Sequence, residues 1–122
     1  MPPKIQQPDP ESFLPLHKDT FHILVALADR DRHGYSIMQD VAARTGGKLK
    51  LGPSTLYGSV KRLLTDGLIV ELEERPDPEH DDQRRRYYRL TPLGRAVAMA
   101  EASRLAILLR DAKATGLLPK RI

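Results

Sequence analysis

The 122-residue chain contains no cysteine and no tryptophan, and only 5% of its residues are aromatic. The lack of cysteine excludes disulfides, iron–sulfur clusters, thiolate zinc sites and thiol nucleophiles. The sequence has no run of about 18 apolar residues that could span a membrane, and no apolar N-terminal stretch typical of a signal peptide. These absences predict a soluble, cytoplasmic protein without a membrane partner, and the length suits a single domain.

Patterns typical of catalysis and metal binding are also missing. The four histidines are scattered along the chain, with no pair four residues apart around a glutamate, so they predict no zinc site. The acidic residues of the segment 76–83 lack the spacing and the glycine of a calcium loop. We therefore predict that the protein is not an enzyme and binds neither a metal nor a cofactor.

The first part of the chain is rich in proline. Five of the ten prolines lie among the first fifteen residues, where the other residues are mostly polar. Such a segment has too few apolar side chains to offset the entropy that it loses on ordering. We therefore expect residues 1–12 to form a mobile tail.

The rest of the chain alternates between helical and strand-like patterns. Apolar residues at helical spacing predict helices over residues 14–28, 34–45 and 53–66. Residues 68–73 and 87–90 alternate with period two, with Leu68, Val70 and Leu72 on one side of the first strand, which predicts a hairpin. A final apolar and proline-free run predicts a helix over residues 93–114. The fold class is therefore mainly α with a small β-hairpin: a winged helix-turn-helix over 13–91, followed by a C-terminal helix within 92–116.

The third predicted helix has one face without acids. Its core-facing side is predicted to carry Leu56, Val60, Leu63 and Leu64. The opposite side offers hydroxyls, a phenol, two cations and a glycine: Ser54, Thr55, Tyr57, Gly58, Lys61 and Arg62. A helix that enters the major groove of DNA needs such donors and must avoid carboxylates, with Ser54 and Tyr57 best placed for base edges. A solvated helix face that happens to lack acids explains the same composition.

The net charge of +4 is small, but several positive charges are concentrated next to the second strand. Arg84, Arg85 and Arg86 lie where the hairpin loop meets this strand, from which guanidinium groups could reach DNA phosphates. The alternative is a solvated edge that discourages pairing between sheets. The preceding acidic loop, residues 76–83, would repel DNA. We therefore expect the arginines to contact DNA and the loop to point away from it.

Three motifs match a known family. They are HGYSI at residues 33–37, GPSTLYGSVKRLLTDGLI at 52–69 and RRRYYRLTPLG at 84–94. With these motifs the chain resembles the short, single-domain members of the PadR-like transcriptional regulators over residues 14–115. The resemblance implies a homodimer that binds a palindromic operator in double-stranded DNA, usually as a repressor, with STLY in the recognition helix. It also implies a possible phenolic or lipophilic small-molecule effector. Gly58 departs from the family pattern, which often has proline there.

The C-terminal helix carries a stripe suited to dimerisation. Its members are small or branched apolar residues at spacings of 4, 3, 4 and 3: Ala98, Ala102, Leu105, Leu109 and Ala112. Such spacing is typical of the seam between two packed helices. The alternative is a capping helix that packs only within its own chain. The resulting interpretation is a DNA-binding transcriptional regulator; the alternative function is a winged-helix adaptor that binds proteins without sequence-specific DNA binding.

Overall fold

A computed structural model describes residues 8–72 and 86–119 of the chain. The elements, in chain order, are a 3-10 turn at Pro10–Phe13, α1 at Lys18–Asp29, β1 at Arg32–His33, α2 at Gly34–Arg44, α3 at Pro53–Thr65, β2 at Ile69–Leu72, β3 at Tyr87–Leu90 and α4 at Pro92–Ala114. The predicted fold class, mainly helical with a small antiparallel sheet, is confirmed. In this part of the chain, no helix combines the length and the apolar character needed to cross a membrane.

Side chains that precede the helices explain where three of them begin. The His17 Nδ1 atom accepts a hydrogen bond from the Asp19 amide at 3.2 Å, and His33 Nδ1 accepts one from Ser36 at 3.1 Å. The Thr91 hydroxyl accepts one from Gly94 at 3.0 Å. Each bond satisfies an amide that has no partner within its helix. By contrast, α3 follows Gly52 and has no side-chain cap.

The sheet contains one strand more than the predicted hairpin. Its order is β1-β3-β2 and both pairings are antiparallel, with Arg32 opposite Tyr88 and Ile69 opposite Leu90. The segment that forms β1 is charged and only two residues long, so it shows no period-two pattern. Because β1 lies between α1 and α2 and pairs with β3, the sheet connects the hairpin to the helical part of the domain.

One apolar core joins α1, α2, α3, the sheet and the beginning of α4. Its largest buried apolar side chains are Ile23, Leu24, Ile37, Val41, Leu56, Leu68 and Val97. One predicted core position is wrong: Leu64 is 37% exposed, because α3 buries positions 56, 59, 60 and 63. In the strand, Val70 is 43% exposed while Ile69 is buried. Leu68 precedes β2, so the strand's alternation begins with Ile69 facing the core.

The N-terminal part of the chain departs furthest from its prediction. The first helix begins at Lys18 and not at Leu14, since Pro15 has no amide hydrogen and disfavours helical backbone in the residue before it. Residues 1–7 of the predicted tail lie outside the described residues, while its residues 10–12 lie in the 3-10 turn that contacts α4. The reason lies just beyond the predicted tail, where Phe13 and Leu14 pack against the core.

A buried carboxylate joins this N-terminal segment to α4. Glu101 is only 2% exposed, and its Oε2 atom accepts a hydrogen bond from the Leu16 amide at 2.7 Å. The Arg104 guanidinium donates to the other oxygen. The hydrogen bond from Arg104 holds the pKa of Glu101 below its ordinary value of 4.5, and the Leu16 amide lowers it further, although burial acts in the opposite direction.

These contacts predict how stability depends on pH. Because the pKa of Glu101 is lower in the folded than in the unfolded chain, the ionised group stabilises the fold above about pH 4.5, and this contribution is lost as the pH falls through the lower, folded value. Glu101→Gln should therefore be less stable than the wild type near neutral pH, and the difference should shrink in acid. Urea unfolding at several pH values measures this difference. Glu11→Gln, at an exposed position, is the control; a difference for Glu101→Gln that does not change with pH would contradict the assigned ionisation.

Candidate nucleic-acid interface

The structure places the predicted residues of α3 on its solvent side. Ser54, Thr55, Tyr57, Lys61 and Arg62 are exposed and Gly58 is half-buried, while Leu56, Ser59, Val60 and Leu63 face the core. No acid occurs between Asp40 and Asp66 in the sequence. The exposed side of α3 therefore carries positive charge and hydrogen-bond donors without a carboxylate among them.

The beginning of α3 has free backbone donors. Pro53 has no amide hydrogen, and Gly52 provides no side chain to accept from the amides that follow. The first amides of a helix have no partner within the helix and lie at the positive end of its dipole. This end of α3 therefore suits a negatively charged group, as the ends of helices that face DNA phosphates do.

Tyr57 contacts the first turn of α2. A Cβ atom built on Gly34 would lie 2.4 Å from the Tyr57 hydroxyl oxygen and 2.8 Å from its Cζ atom. A side chain at position 34 would displace this ring, which is 48% exposed. Tyr57 therefore packs α3 against α2, so that Ser54 and Thr55 remain the hydroxyl-bearing side chains at the leading end of α3.

Arg62 and Gly58 share the middle of the same face. The Arg62 Nη2 atom donates to the Ser59 hydroxyl at 3.2 Å, which directs the guanidinium back along the helix. A Cβ atom on Gly58 would meet only the Arg62 Nη1 atom, at 3.9 Å. Packing within the chain therefore does not require glycine at this position, which is consistent with a backbone that approaches another molecule.

The basic part of the hairpin is described only in part. Arg84, Arg85 and the acidic loop 76–83 lie outside the described residues. Arg86 is described: its Nη1 atom donates to Glu71 Oε1 at 3.4 Å, and its side chain is 70% exposed. An ion pair this exposed contributes little to stability. Arg86 can therefore exchange Glu71 for another anion at small cost.

Arg32 connects the elements that support α3. Its side chain is only 11% exposed. It donates to the Ala26 carbonyl at 2.9 Å, to Ser36 at 3.1 Å, and to Asp29 and Asp40 at 2.8 and 3.0 Å. These bonds join the end of α1 to α2. Sequence reasoning missed them, since a charged turn indicates exposure and gives no sign that its arginine is buried.

The predicted stripe of α4 is divided between the domain and solvent. Ala98 packs against the core and Leu105 and Ala112 are half-buried, whereas Ala102 and Leu109 are exposed. Leu108 follows Val97 by three turns and so lies on the same side of the helix. Val97 is fully buried and Leu108 is 56% exposed. The second half of α4 therefore extends beyond the core of its own chain.

An apolar surface continues around this projecting part of α4. Ile107, Leu108 and Leu109 are each more than half exposed. Next to them, a groove of about 480 Å³ separates α4 from the N-terminal turn; its lining residues are Glu11, Leu14, Ala100, Ser103, Arg104 and Ile107. Three consecutive exposed apolar side chains on one helix are typical of a surface that another molecule covers.

Comparison with known proteins agrees with this arrangement. The Transcriptional regulator PadR-like family matches residues 23–100. The chain is 39% identical over 90 residues to a transcriptional regulator of Mycobacterium tuberculosis, covering 74% of this chain and 78% of that protein. It is 38% identical over 86 residues to a 37.1 kDa transposon protein of Streptomyces fradiae, of which it spans only 22%, with 70% of this chain covered. A solved PadR family transcription regulator from Clostridium difficile shares the fold, with a TM-score of 0.64, 23% identity, and 79% of this chain and 95% of that chain covered.

Proposed function

The chain belongs to the PadR-like family of transcriptional regulators, and on this basis we propose that it is a homodimeric repressor that binds a palindromic operator in double-stranded DNA. The family match confirms the resemblance that the three sequence motifs predicted. The observation that carries the proposal is the exposed, acid-free face of α3, where hydroxyls, cations and free amides lie together. Packing within the chain does not require glycine at position 58, and a face exposed only to water would not require it either.

In the proposed complex, α3 lies in the major groove. The groove is about 12 Å wide and admits an α-helix. Ser54 and Thr55, at the leading end, contact base edges, and Gly58 allows the backbone of α3 to approach the DNA. Lys61 and Arg62 contact phosphates, as do the arginines of the hairpin. Tyr57 holds the angle between α3 and α2 through its contact with Gly34.

Dimerisation is assigned to the projecting half of α4. A second copy that packs against Leu109 and its neighbours would remove these apolar side chains from water, which favours association. A dimer presents two recognition helices to successive major grooves, about 34–36 Å apart. Such a complex represses by covering a promoter. A phenolic or lipophilic effector would have room in the groove beside α4, where Leu14 and Ile107 provide apolar contacts.

Lys61→Ala tests the proposed role of α3. Lys61 is exposed and, among the described residues, pairs with no carboxylate, so its ammonium group is available to contact a DNA phosphate. The variant should bind all DNA sequences more weakly by a similar factor, and the slope of log affinity against log salt should become shallower by about one unit. Gel-shift titrations of the operator and of unrelated DNA at several salt concentrations measure both effects. Lys18→Ala, on α1, is the control.

The operator sequence can be identified by selecting the genomic DNA fragments that the protein binds and finding the palindrome that they share. A loss of affinity in Lys61→Ala confined to one operator position would contradict the phosphate role. A wild-type protein that binds no DNA but retains a protein partner would support the adaptor function instead.

A further inference from the structure

The turn between α2 and α3 has a shape that its glycines and leucines determine. Gly46 and Gly47 have φ angles of 62° and 81°, and the Gly47 amide donates to the Ala42 carbonyl at 2.7 Å, which ends α2 and redirects the chain. The Leu49 amide is held by the Thr45 hydroxyl at 3.0 Å. Leu51 is buried in the core. The turn is therefore held in a defined conformation by hydrogen bonds and by packing against the core.

This arrangement places two lysines together on the solvent side. Along residues 48–51 the side chains alternate, with Lys48 and Lys50 exposed, Leu49 half-buried and Leu51 buried. Because the two leucines face the core, both ammonium groups point away from it.

The two lysines also differ from most described arginines in having no acidic partner. Arg32, Arg44 and Arg89, which surround the helix-turn-helix, all pair with aspartates. Within residues 8–72 and 86–119, no carboxylate pairs with Lys48 or Lys50. The charges of these three arginines are thus neutralised within the protein, whereas Lys48 and Lys50, like the other described lysines, remain available to a partner.

The position of the turn identifies that partner. Lys50 precedes Gly52, the residue before α3, by two residues, so their Cα atoms lie within about 7 Å. A helix whose leading end enters the major groove brings the chain just before it against the neighbouring sugar-phosphate backbone. We propose that Lys48 and Lys50 form a phosphate-binding site of the DNA interface beside α3. This inference rests on the proposed DNA-binding function.

The two lysines supply affinity and not base selectivity. Ammonium groups on flexible side chains bind phosphate as point charges and read no base edge. Their contribution should therefore be equal on operator and unrelated DNA and should weaken with salt.

The test is the double variant Lys48→Gln/Lys50→Gln, measured against operator and unrelated DNA over a range of salt concentrations. We expect both affinities to fall by a similar factor, roughly tenfold per lysine near 0.1 M salt, and the salt slope to become shallower by about two units. Lys48→Arg/Lys50→Arg keeps the charge and should bind like the wild type. Lys18→Gln/Lys113→Gln removes the same charge from exposed positions on α1 and α4 and should leave the slope unchanged.

Each outcome has a defined meaning. An unchanged slope in Lys48→Gln/Lys50→Gln, with a wild-type protein that binds DNA, overturns the lysine site and leaves the proposed function intact. An equal change in the Lys18→Gln/Lys113→Gln control also overturns it, because net charge alone would then explain the effect. A wild type that binds no DNA overturns both the function and the site. Urea unfolding of the variants checks that their stability is unchanged.

Discussion

Replacing Gly94 by alanine is expected to destabilise the protein by about 3 kcal/mol or more, a large part of the stability of a small domain. A Cβ atom at this position would lie 1.9 Å from the Leu68 carbonyl oxygen and 2.8 Å from the Leu68 carbonyl carbon. Both are backbone atoms, and the oxygen accepts a hydrogen bond from the Thr91 amide at 3.1 Å. The added methyl group can be accommodated only if α4 and the segment before β2 separate. Urea unfolding followed by circular dichroism measures the loss.

Gly58→Ala is the matched control for this prediction. Its new Cβ atom would meet only Arg62 Nη1 at 3.9 Å, so there is open space for the methyl group. Within a helix, alanine is favoured over glycine by up to about 1 kcal/mol, so this variant should be as stable as the wild type or more stable. Equal destabilisation by the two substitutions would show that the close contact at Gly94 is not the cause.

Leu109→Glu is expected to convert the proposed dimer into a monomer and to reduce operator affinity by about 100-fold or more, because the two half-sites are then no longer bound by one linked molecule. Leu109 is 53% exposed in the single chain, so the substitution should leave the core intact. In a dimer that covers this side chain, the carboxylate would be buried without a partner. Sedimentation velocity and gel shift measure the two effects.

Met99→Glu provides the comparison on the same helix. Met99 is 65% exposed but lies outside the stripe that contains Leu109. This variant should remain dimeric and keep its affinity. If the Leu109→Glu variant remains dimeric, the dimer interface lies elsewhere on the protein. If both variants dissociate into monomers, the stripe that contains Leu109 does not define the interface.

Much of the fold follows from local patterns in the sequence. The helices α2, α3 and α4 were predictable because apolar spacing, proline and glycine act within each segment. The strand β1 was not, since its two residues form a strand only through pairing with β3, far along the chain. Glu101 resembled a surface acid among alanines and arginines. Its burial depends on the Leu16 amide, 85 residues away.

The candidate site could likewise be predicted from the sequence only in part. The acid-free face of α3 was visible because helical periodicity brings its residues together. The contact of Tyr57 with Gly34 was not, because no local pattern indicates which atom of a neighbouring helix lies against a ring. Lys48 and Lys50 did leave a signal, the alternation KLKL between glycines, although it is too short to stand out from an ordinary loop.

The continuity of α4 has a mechanical consequence. This helix is 23 residues long and contains no proline or glycine after Gly94. Its buried first half and its projecting second half should therefore move together as one rigid helix. In the proposed dimer the far end is held by the partner and the near end by the DNA-binding core. A tilt of about 10° at the contact would swing the core by about 5 Å over a lever of about 30 Å, more than the rise of one base pair. A small change in the angle at which the two copies of α4 cross would therefore produce a larger change in the distance between the two recognition helices.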